Sequence, residues 1–184
     1  MSHTIETARL LLRPLRESDL VPLAAALNNC RITRNTARIP WPYKLDDARE
    51  HLHRVNQDVP GTLRLMIAEK SQPAVIVGGI GYEGEEAGHS AELGYWLAET
   101  VWAKGFGYEA ALAVTAHGFE VAGHERLVAG YRHGNEASRR ILDRLGFRIV
   151  GHEMMYSRGV GRKTPVARLE LTRREWLKAK GRGT

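Results

Sequence analysis

One cysteine, Cys30, stands in 184 residues, so no disulfide closes within the chain and no cysteine-based metal site can be assembled. A lone cysteine with no nucleophile motif around it reads as a small packed side chain. Apolar runs are short: none approaches the roughly 20 residues of a membrane span. Met1-Ser2-His3-Thr4-Ile5-Glu6 has neither the basic region nor the apolar stretch of a signal peptide, so a cytoplasmic protein without membrane association is expected. Internal repeats, low-complexity segments and linkers are lacking, and 43% hydrophobic residues suffice for one compact domain, 1–184, with its own core. Helix-turn-helix, zinc-finger and RNA-recognition patterns are also missing. His51 and His53 are two apart, on different faces of any helix, and have no third ligand nearby, so no metal is expected.

Acidic residues are scarce in one region only. Residues 139–184 carry 13 Lys/Arg against 4 Asp/Glu, while residues 1–138 carry 14 against 17, so the last quarter holds the whole net charge of +6. That excess is a solvated surface with a frayed tail from Lys178 to Thr184, an attraction for the phosphates of a ligand, or a surface for an RNA-bound partner such as a ribosome.

What is present centres on Glu92 to Ala110. Leu93, Tyr95 and Leu97 give an apolar strand pattern, a short loop reaches Gly105 and Gly107, and a long helical pattern follows. The first turn of a helix has unpaired backbone N–H groups and the positive end of its dipole, and glycines let a diphosphate approach without meeting a Cβ. This is a pyrophosphate cradle in outline. Gly105-Phe106-Gly107-Tyr108-Glu109-Ala110 also fits the dinucleotide pattern G-x-G-x-x-G/A, with Glu125 twenty residues after Gly105. A dinucleotide fold, however, places its glycines directly after the strand inside repeated βαβ units. Here Ala98 to Lys104 intervene, and the 79 residues after Gly105 are too few to complete a doubly wound sheet.

A second block, Asn135-Glu136-Ala137-Ser138 followed by Leu145-Gly146-Phe147, speaks against a glycine-rich helix entry with no ligand, while an NAD-linked oxidoreductase stays as the competing class. With Trp102-Ala103-Lys104-Gly105-Phe106-Gly107 before it, the chain resembles the GNAT superfamily of N-acetyltransferases, and within it the RimJ/RimL-like branch that acetylates protein N-terminal amines and related substrates. The first segment is similar to that family's acetyl-CoA pyrophosphate loop and the second to its other cofactor motif. A looser likeness runs from Thr7-Ala8-Arg9-Leu10 to Glu175-Trp176. The chain departs from the pattern at Trp102, where Gln or Arg is frequent, and at Leu142, where many relatives place the tyrosine that protonates the departing thiol. Ser138 is the nearest substitute for that tyrosine.

Periodicity places the remaining elements. A strand is predicted over Ile5 to Leu15, stopped by Pro14. A helix capped by Ser18 or Asp19 carries Leu20, Leu23, Ala24 and Leu27 on one face. From Cys30 to Tyr43 the pattern is irregular around Pro40-Trp41-Pro42-Tyr43. A helix from Asp46 or Asp47 reaches Val55. Strands Leu63 to Glu69 and Ala74 to Tyr82 form a hairpin, in which Gly78, Gly79 and Gly81 suggest a bulge or the close approach of another group. The acidic turn Glu83 to Gly88 leads to the central strand. After the loop come a helix ending near Gly123, a strand Arg126 to Tyr131, a helix Asn135 to Leu145, strands Phe147 to Tyr156 and Val166 to Leu171, and a terminal helix opened by a Thr172/Glu175 capping box. The order is α+β, a mostly antiparallel mixed sheet flanked by helices, with one βα crossover at the ligand.

The resemblance implies that two central strands splay and that acetyl-CoA, the only cofactor expected, enters the gap. Its pantetheine would pair like an added strand with the backbone of Tyr95, Trp96 and Leu97. Its diphosphate would sit on Trp102, Ala103, Lys104, Gly105, Phe106, Gly107 and Tyr108. Asn135 suits a pantetheine amide, or serves as a helix N-cap. Trp41 and Tyr43 lie where the family binds its acceptor, or are lid packing. Amine acetylation needs a neutral amine, a route for its proton and a donor for the thiolate. Glu92, at the mouth end of the central strand, is the candidate base, or else a surface acid; His133 is an alternative base, or else a turn residue. Ser138 is the candidate donor, or else bonds its own backbone. An α-amine near pKa 7.7–8.0 is partly neutral at pH 7, whereas a lysine amine near 10.4 needs depression by about three units, which favours a protein N-terminus over other amines. Small-molecule amines, a noncatalytic acyl-CoA sensor and a homodimer are the other expectations.

Overall fold

The computed structural model describes residues 4–57, 59–84 and 89–181. Residues 85–88 of the expected acidic turn and the last three residues of the tail lie outside that range. Eight strands form one sheet: β1 (Ile5–Glu6), β2 (Leu10–Arg13), β3 (Leu63–Glu69), β4 (Ile76–Gly84), β5 (Ser90–Leu97), β6 (Arg126–Arg132), β7 (Arg148–Ser157) and β8 (Arg162–Thr172). Their order is β1-β2-β3-β4-β5-β6-β8-β7. Among the described strands only β5 and β6 run parallel, as a strand–helix–strand crossover requires. A single parallel pair excludes the doubly wound sheet of a dinucleotide fold.

Strand alternation sorts the side chains onto two faces. Leu10, Leu12, Leu65, Ile67, Leu93, Leu127 and Ala129 point to one face, where α4 (Phe106–Glu120) and α5 (Glu136–Leu145) bury Phe106, Val114, Phe119, Leu142 and Leu145 against them. On the other face α1 (Leu20–Leu27) and α3 (Leu45–Val55) enclose Leu23, Leu27, Ala48, Met66 and Ile76 with Trp96 at the margin. A short α2 (Cys30–Thr33) and the terminal α6 (Arg173–Lys180) complete the chain. The expected capping box of α6 is formed: Thr172 Oγ1 accepts from Glu175 N, and the Glu175 carboxylate accepts from Thr172 N at 2.9 Å.

The expected strand Ile5 to Leu15 folds back on itself, with Ile5 opposite Leu12 and Glu6 opposite Leu11. The cause is Thr7, whose hydroxyl accepts from Leu10 N at 2.9 Å and closes a turn that periodicity does not register. The stretch after Cys30 contains the one-turn α2, nucleated by Asn29, whose side chain accepts from Arg31 N. The β7–β8 hairpin runs to its tip at Ser157 and Arg162, longer than expected, because polar Arg162 to Pro165 still pair with β7. Both suggestions for the β4 glycines hold. A bulge lies at Ile67/Ala68 opposite Gly78, and a Cβ on Gly79 would stand 2.5 Å from the Trp96 indole nitrogen.

The feature that positions the site is a parting of two strands. β5 follows β4 from Gly84↔Ala91 to Gly78↔Leu97, but it pairs with β6 only from Ser90↔Arg126 to Leu93↔Ala129. Beyond that rung β6 stays with β8 as far as Arg132↔Val166. The β6-facing edge of β5 from Gly94 onward therefore has no strand partner among the described residues.

Candidate active site

α4 opens beside that free edge. Its N-cap is Gly105, at φ +81°, a left-handed conformation that favours glycine. Glycine has no side chain to cap with, and no side-chain cap hydrogen bond forms. Glu109 N is the first to find a helical acceptor, Gly105 O at 3.1 Å. The N–H groups of Phe106, Gly107 and Tyr108 thus have no intrahelical partner, and the positive end of the helix dipole lies at the loop. Ala103 is the one described non-glycine residue at positive φ, +62°, a conformation that turns the loop tightly just ahead of Gly105.

Gly107 corrects the reasoning from sequence. A Cβ there would stand 2.9 Å from Ile141 Cδ1 and 3.0 Å from Leu97 Cδ1. Its missing side chain gives Leu97 of β5 and Ile141 of α5 room against α4, so a side chain at 107 must displace those two side-chain ends, and the backbone N–H of Gly107 is the group it offers an anion.

The loop is held by residues that the sequence reading did not single out. Glu109 accepts from Thr7 Oγ1 at 2.6 Å, from Arg9 N at 2.8 Å and from Arg9 Nε at 2.7 Å. Arg9 also donates to Lys104 O at 3.0 Å and lies over the Phe106 ring, 4.7 Å from its centroid. Burial alone would raise the Glu109 pKa, but the hydrogen bonds from Thr7 and Arg9 and the Arg9 charge hold it below the ordinary carboxylate value. The acid in the first turn is thereby neutralised, which leaves the helix start attractive to anions. The signal in the sequence was Thr7-x-Arg9 together with an acid one turn into the glycine-led helix. On the loop's far side the Trp102 indole donates to Leu97 O at 2.9 Å, and the Arg31 guanidinium, itself paired with Glu99, lies 5.1 Å from the Trp102 ring. Arg144 of the basic quarter reaches the site, 3.9 Å from the Tyr108 ring centroid.

The three residues expected to pair with pantetheine divide. Trp96 O lies against Gly78 of β4, and Ala98 N donates to Val77 O at 2.8 Å. Backbone groups alternate sides along a strand, so Tyr95 and Leu97 present theirs to the gap and Trp96 does not. The Trp96 side chain packs on the opposite face, by Gly79.

Across the gap, Asn135 caps α5, its side chain accepting from Ser138 N at 3.3 Å. The Asn135 NH2 group donates no described hydrogen bond within the chain. The Ser138 hydroxyl does not turn to its own backbone; it lies 2.9 Å from the Tyr95 hydroxyl, which also approaches Ser138 O at 3.4 Å. Ser138 is 9% exposed, and burial pushes the Tyr95 phenol up to about 12. Leu142, one turn further along α5, is buried in the core.

Glu92 sits at the closed end of the gap, one rung before the last β5–β6 pair, rather than at its mouth. Its carboxylate accepts from Arg168 Nη1 at 2.6 Å, and Arg168 Nε lies 3.3 Å from Glu153. Its cross-strand neighbour Glu83 is held by Arg38, Arg54 and Arg64. Burial would raise the Glu83 pKa, but hydrogen bonds and charge from Arg38 and Arg64 bring it below the ordinary value. Arg168 and Glu153 are neighbours that periodicity alone could not bring to Glu92. His133 stands apart from them and pairs with His152, Nε2 to Nδ1 3.2 Å. Tyr43 is 6% exposed and packs in the α1/α3 core, whereas Trp41 is 51% exposed. Much of the basic quarter is paired: Arg139 with Glu136 and Asp143, Arg148 with Glu170 and Glu175, Lys180 with Glu120. Among the described residues no three His, Cys, Asp or Glu side chains gather as a metal site, and no helix is long and apolar enough to cross a membrane.

Comparison with known proteins gives the same direction. Residues 9–148 match the family described as Acetyltransferase (GNAT) domain. The chain is 28% identical over 174 residues to the uncharacterized N-acetyltransferase YoaA of Bacillus subtilis (strain 168), covering 90% of this chain and 96% of that protein. Among solved structures it resembles a spermidine N-acetyltransferase from Vibrio cholerae in complex with CoA and spermine, at TM-score 0.77, 20% identity and coverage of 91% and 98%. It also resembles a ribosomal-protein-S5-alanine acetyltransferase from Vibrio fischeri, at TM-score 0.75, 18% identity and coverage of 95% and 98%. At those identities the two structures speak for the fold alone.

Proposed function

The chain belongs to the GNAT acetyltransferase family and is an acyltransferase, and from that premise we propose that it is an acetyl-CoA-dependent N-acetyltransferase whose acceptor is a primary amine, a protein N-terminal α-amine before others, as in the RimJ/RimL-like branch. The observation that carries the reading is the uncapped start of α4 beside the unpaired edge of β5, with Ser138 across the gap.

The residues present fit acetyl-CoA. The N–H groups of Phe106, Gly107 and Tyr108, with Lys104 and Arg144 nearby, suit a diphosphate; Tyr95 offers its backbone groups, Leu97 its N–H and Asn135 an amide donor to pantetheine amides. Acetyl-CoA supplies an activated acetyl group, and no covalent enzyme intermediate is needed. The chain's work is to orient the amine, take its proton and stabilise the sulfur. α4 and α5 cover one side of the gap, so the amine arrives from the side on which Glu92 lies. Glu92, oriented by Arg168, takes the amine proton directly or through water, and Ser138 donates to the sulfur.

The charges on the acceptor face favour an α-amine over a polyamine. Glu83, Glu92 and Glu153 are each paired with arginine, which lowers the net negative charge that a polycation would meet there. The unpaired cations of the last quarter would serve the phosphates of CoA or a ribosome on which an N-terminus is presented, and the protein would work in the cytoplasm. The test is thiol release from acetyl-CoA with a panel of N-terminal peptides, spermidine, aminoglycosides and free amino acids. Release with peptides and an acetyl group on the α-amine is expected. Release with spermidine alone overturns the acceptor class, and binding without release for any acceptor makes the protein an acyl-CoA sensor.

A further inference from the structure

We propose that Tyr95 is a positioning residue for the departing thiolate: its phenol, reaching from β5 across to α5, donates to the Ser138 hydroxyl and so aims the serine proton at the sulfur. The inference rests on the functional reading above and adds to it a side chain in the place left open by Leu142.

The geometry is specific. Tyr95 lies two residues past the last β5–β6 rung, where β5 has lost its partner, on the side-chain face that carries Leu93 and Leu97. Ser138 is in the first turn of α5, on the other bank of the gap. Their hydroxyls are 2.9 Å apart, so one hydrogen bond spans the opening. The serine N–H is already spent on Asn135, which fixes the backbone from which the hydroxyl projects. Leu142, at i+4 from Ser138 on the same helix face, is buried and has no polar atom in its side chain.

A phenol has one proton, and two arrangements compete. With no charge in the gap, the serine proton points at the phenol oxygen, while the phenol proton leans to Ser138 O, 3.4 Å away. With a thiolate forming, the phenol proton turns to Ser138 Oγ and the serine proton is free for the sulfur. No proton leaves Tyr95: burial pushes its pKa up to about 12, so a buried phenolate is disfavoured. The overall change balances without it. The N–C bond forms, the C–S bond breaks with its electron pair going to sulfur, the amine proton goes to Glu92 or water, and CoA departs as a thiolate that accepts a hydrogen bond from Ser138 and takes its proton later from solvent. Glu92 and His133 take no part in the relay; Glu92 projects from the opposite sheet face and His133 is paired with His152.

The test needs no acceptor. Bound CoA is titrated by the ultraviolet absorbance of its thiolate, in wild type and in Tyr95→Phe, Ser138→Ala and the double variant, with acetyl-CoA affinity measured beside it by calorimetry. The bond from Ser138 to the thiolate is the charge-assisted one, so Ser138→Ala should raise the bound-thiol titration by about one unit. Tyr95→Phe, which leaves that hydroxyl but removes its aim, should raise it by a smaller amount, and the double variant by no more than Ser138→Ala, because both substitutions act on one chain. Acetyl-CoA, which carries no thiolate, should bind Tyr95→Phe as it binds wild type. A bound-thiol titration identical in wild type and Tyr95→Phe overturns the inference while leaving the functional reading standing. Additive effects in the double variant overturn it too, and so does an equal loss of acetyl-CoA affinity, which would make Tyr95 a packing residue. Failure of wild type to bind CoA at all removes the functional reading along with it. Should Tyr95→Phe not fold, Ser138→Thr, which keeps the hydroxyl, must retain the low titration where Ser138→Ala loses it.

Discussion

Replacing Glu109 with glutamine tests whether the start of α4 is held in place from the N-terminal hairpin. The carboxylate accepts three hydrogen bonds of 2.6 to 2.8 Å from Thr7 and Arg9. Glutamine keeps the shape and one acceptor oxygen but removes the charge. Hydrogen bonds to charged groups contribute about 1.5–3 kcal/mol and neutral ones about 0.5–1.5. The Arg9 side chain is 52% exposed, so its share is screened, and a net loss of about 1–2 kcal/mol is expected. For a chain of this size that is a fall in Tm of roughly 2–8 °C. The pH dependence identifies the cause. The folded pKa of Glu109 is depressed, so its stabilisation is fully present above the unfolded carboxylate value and is lost as pH falls through the folded one. Urea unfolding of wild type and Glu109→Gln should therefore differ by a constant amount from about pH 5 to 8 and converge in acid. Calorimetry at neutral pH should also show weaker acetyl-CoA binding, since Arg9 no longer fixes Lys104 O. Equal stabilities at pH 7, or curves that stay parallel into acid, refute the reasoning.

Four further outcomes follow from the same geometry. Ser138→Ala should lower kcat about 10- to 100-fold while changing acetyl-CoA affinity little, as for a donor needed only when the C–S bond breaks; equal losses in stopped-flow binding and turnover would leave it a cap-turn residue. Glu92→Gln should slow turnover chiefly at low pH and converge with wild type as pH rises toward an α-amine pKa near 8, where water and hydroxide can take the proton; one constant factor at every pH would make Glu92 a positioning residue. Gly107→Asp, which drives a carboxylate between Leu97 and Ile141, should lower the urea midpoint as well as abolish binding, and a fully stable variant contradicts that packing. Gly105→Ala, strained by about 1 kcal/mol at φ +81°, should weaken acetyl-CoA binding in calorimetry by severalfold, and unchanged affinity removes the loop from the site.

The elements were legible where one face of each alternates cleanly. β3 ends where the hydrophobic pattern ends, and the Thr172/Glu175 box marked the last helix because both partners are local in sequence. The glycine-led start of α4 and the Asn135 cap were visible for the same reason. What stayed hidden depends on distant pairing. Thr7 breaks a hydrophobic run through a hydroxyl-to-backbone bond, and its partner Glu109 lies 102 residues away. Tyr43 and Trp41 look alike in sequence, yet one is enclosed by α1 and α3 and the other is open to solvent. Three consecutive residues of β5 seemed equivalent until the β4 register showed which backbone groups are already turned away from the gap. The hydroxyl contact of Tyr95 with Ser138 spans 43 residues and had no local signal at all.

The central claim is that the start of α4 holds the diphosphate of acetyl-CoA while the open edge of β5 takes its pantetheine. Calorimetric titration with acetyl-CoA, acetyl-pantetheine and NAD tests it directly. Acetyl-CoA should bind, acetyl-pantetheine, which lacks the diphosphate and the nucleotide, should lose most of that affinity, and NAD should not bind. Equal affinity for acetyl-CoA and acetyl-pantetheine, or binding of NAD in place of acetyl-CoA, contradicts the claim.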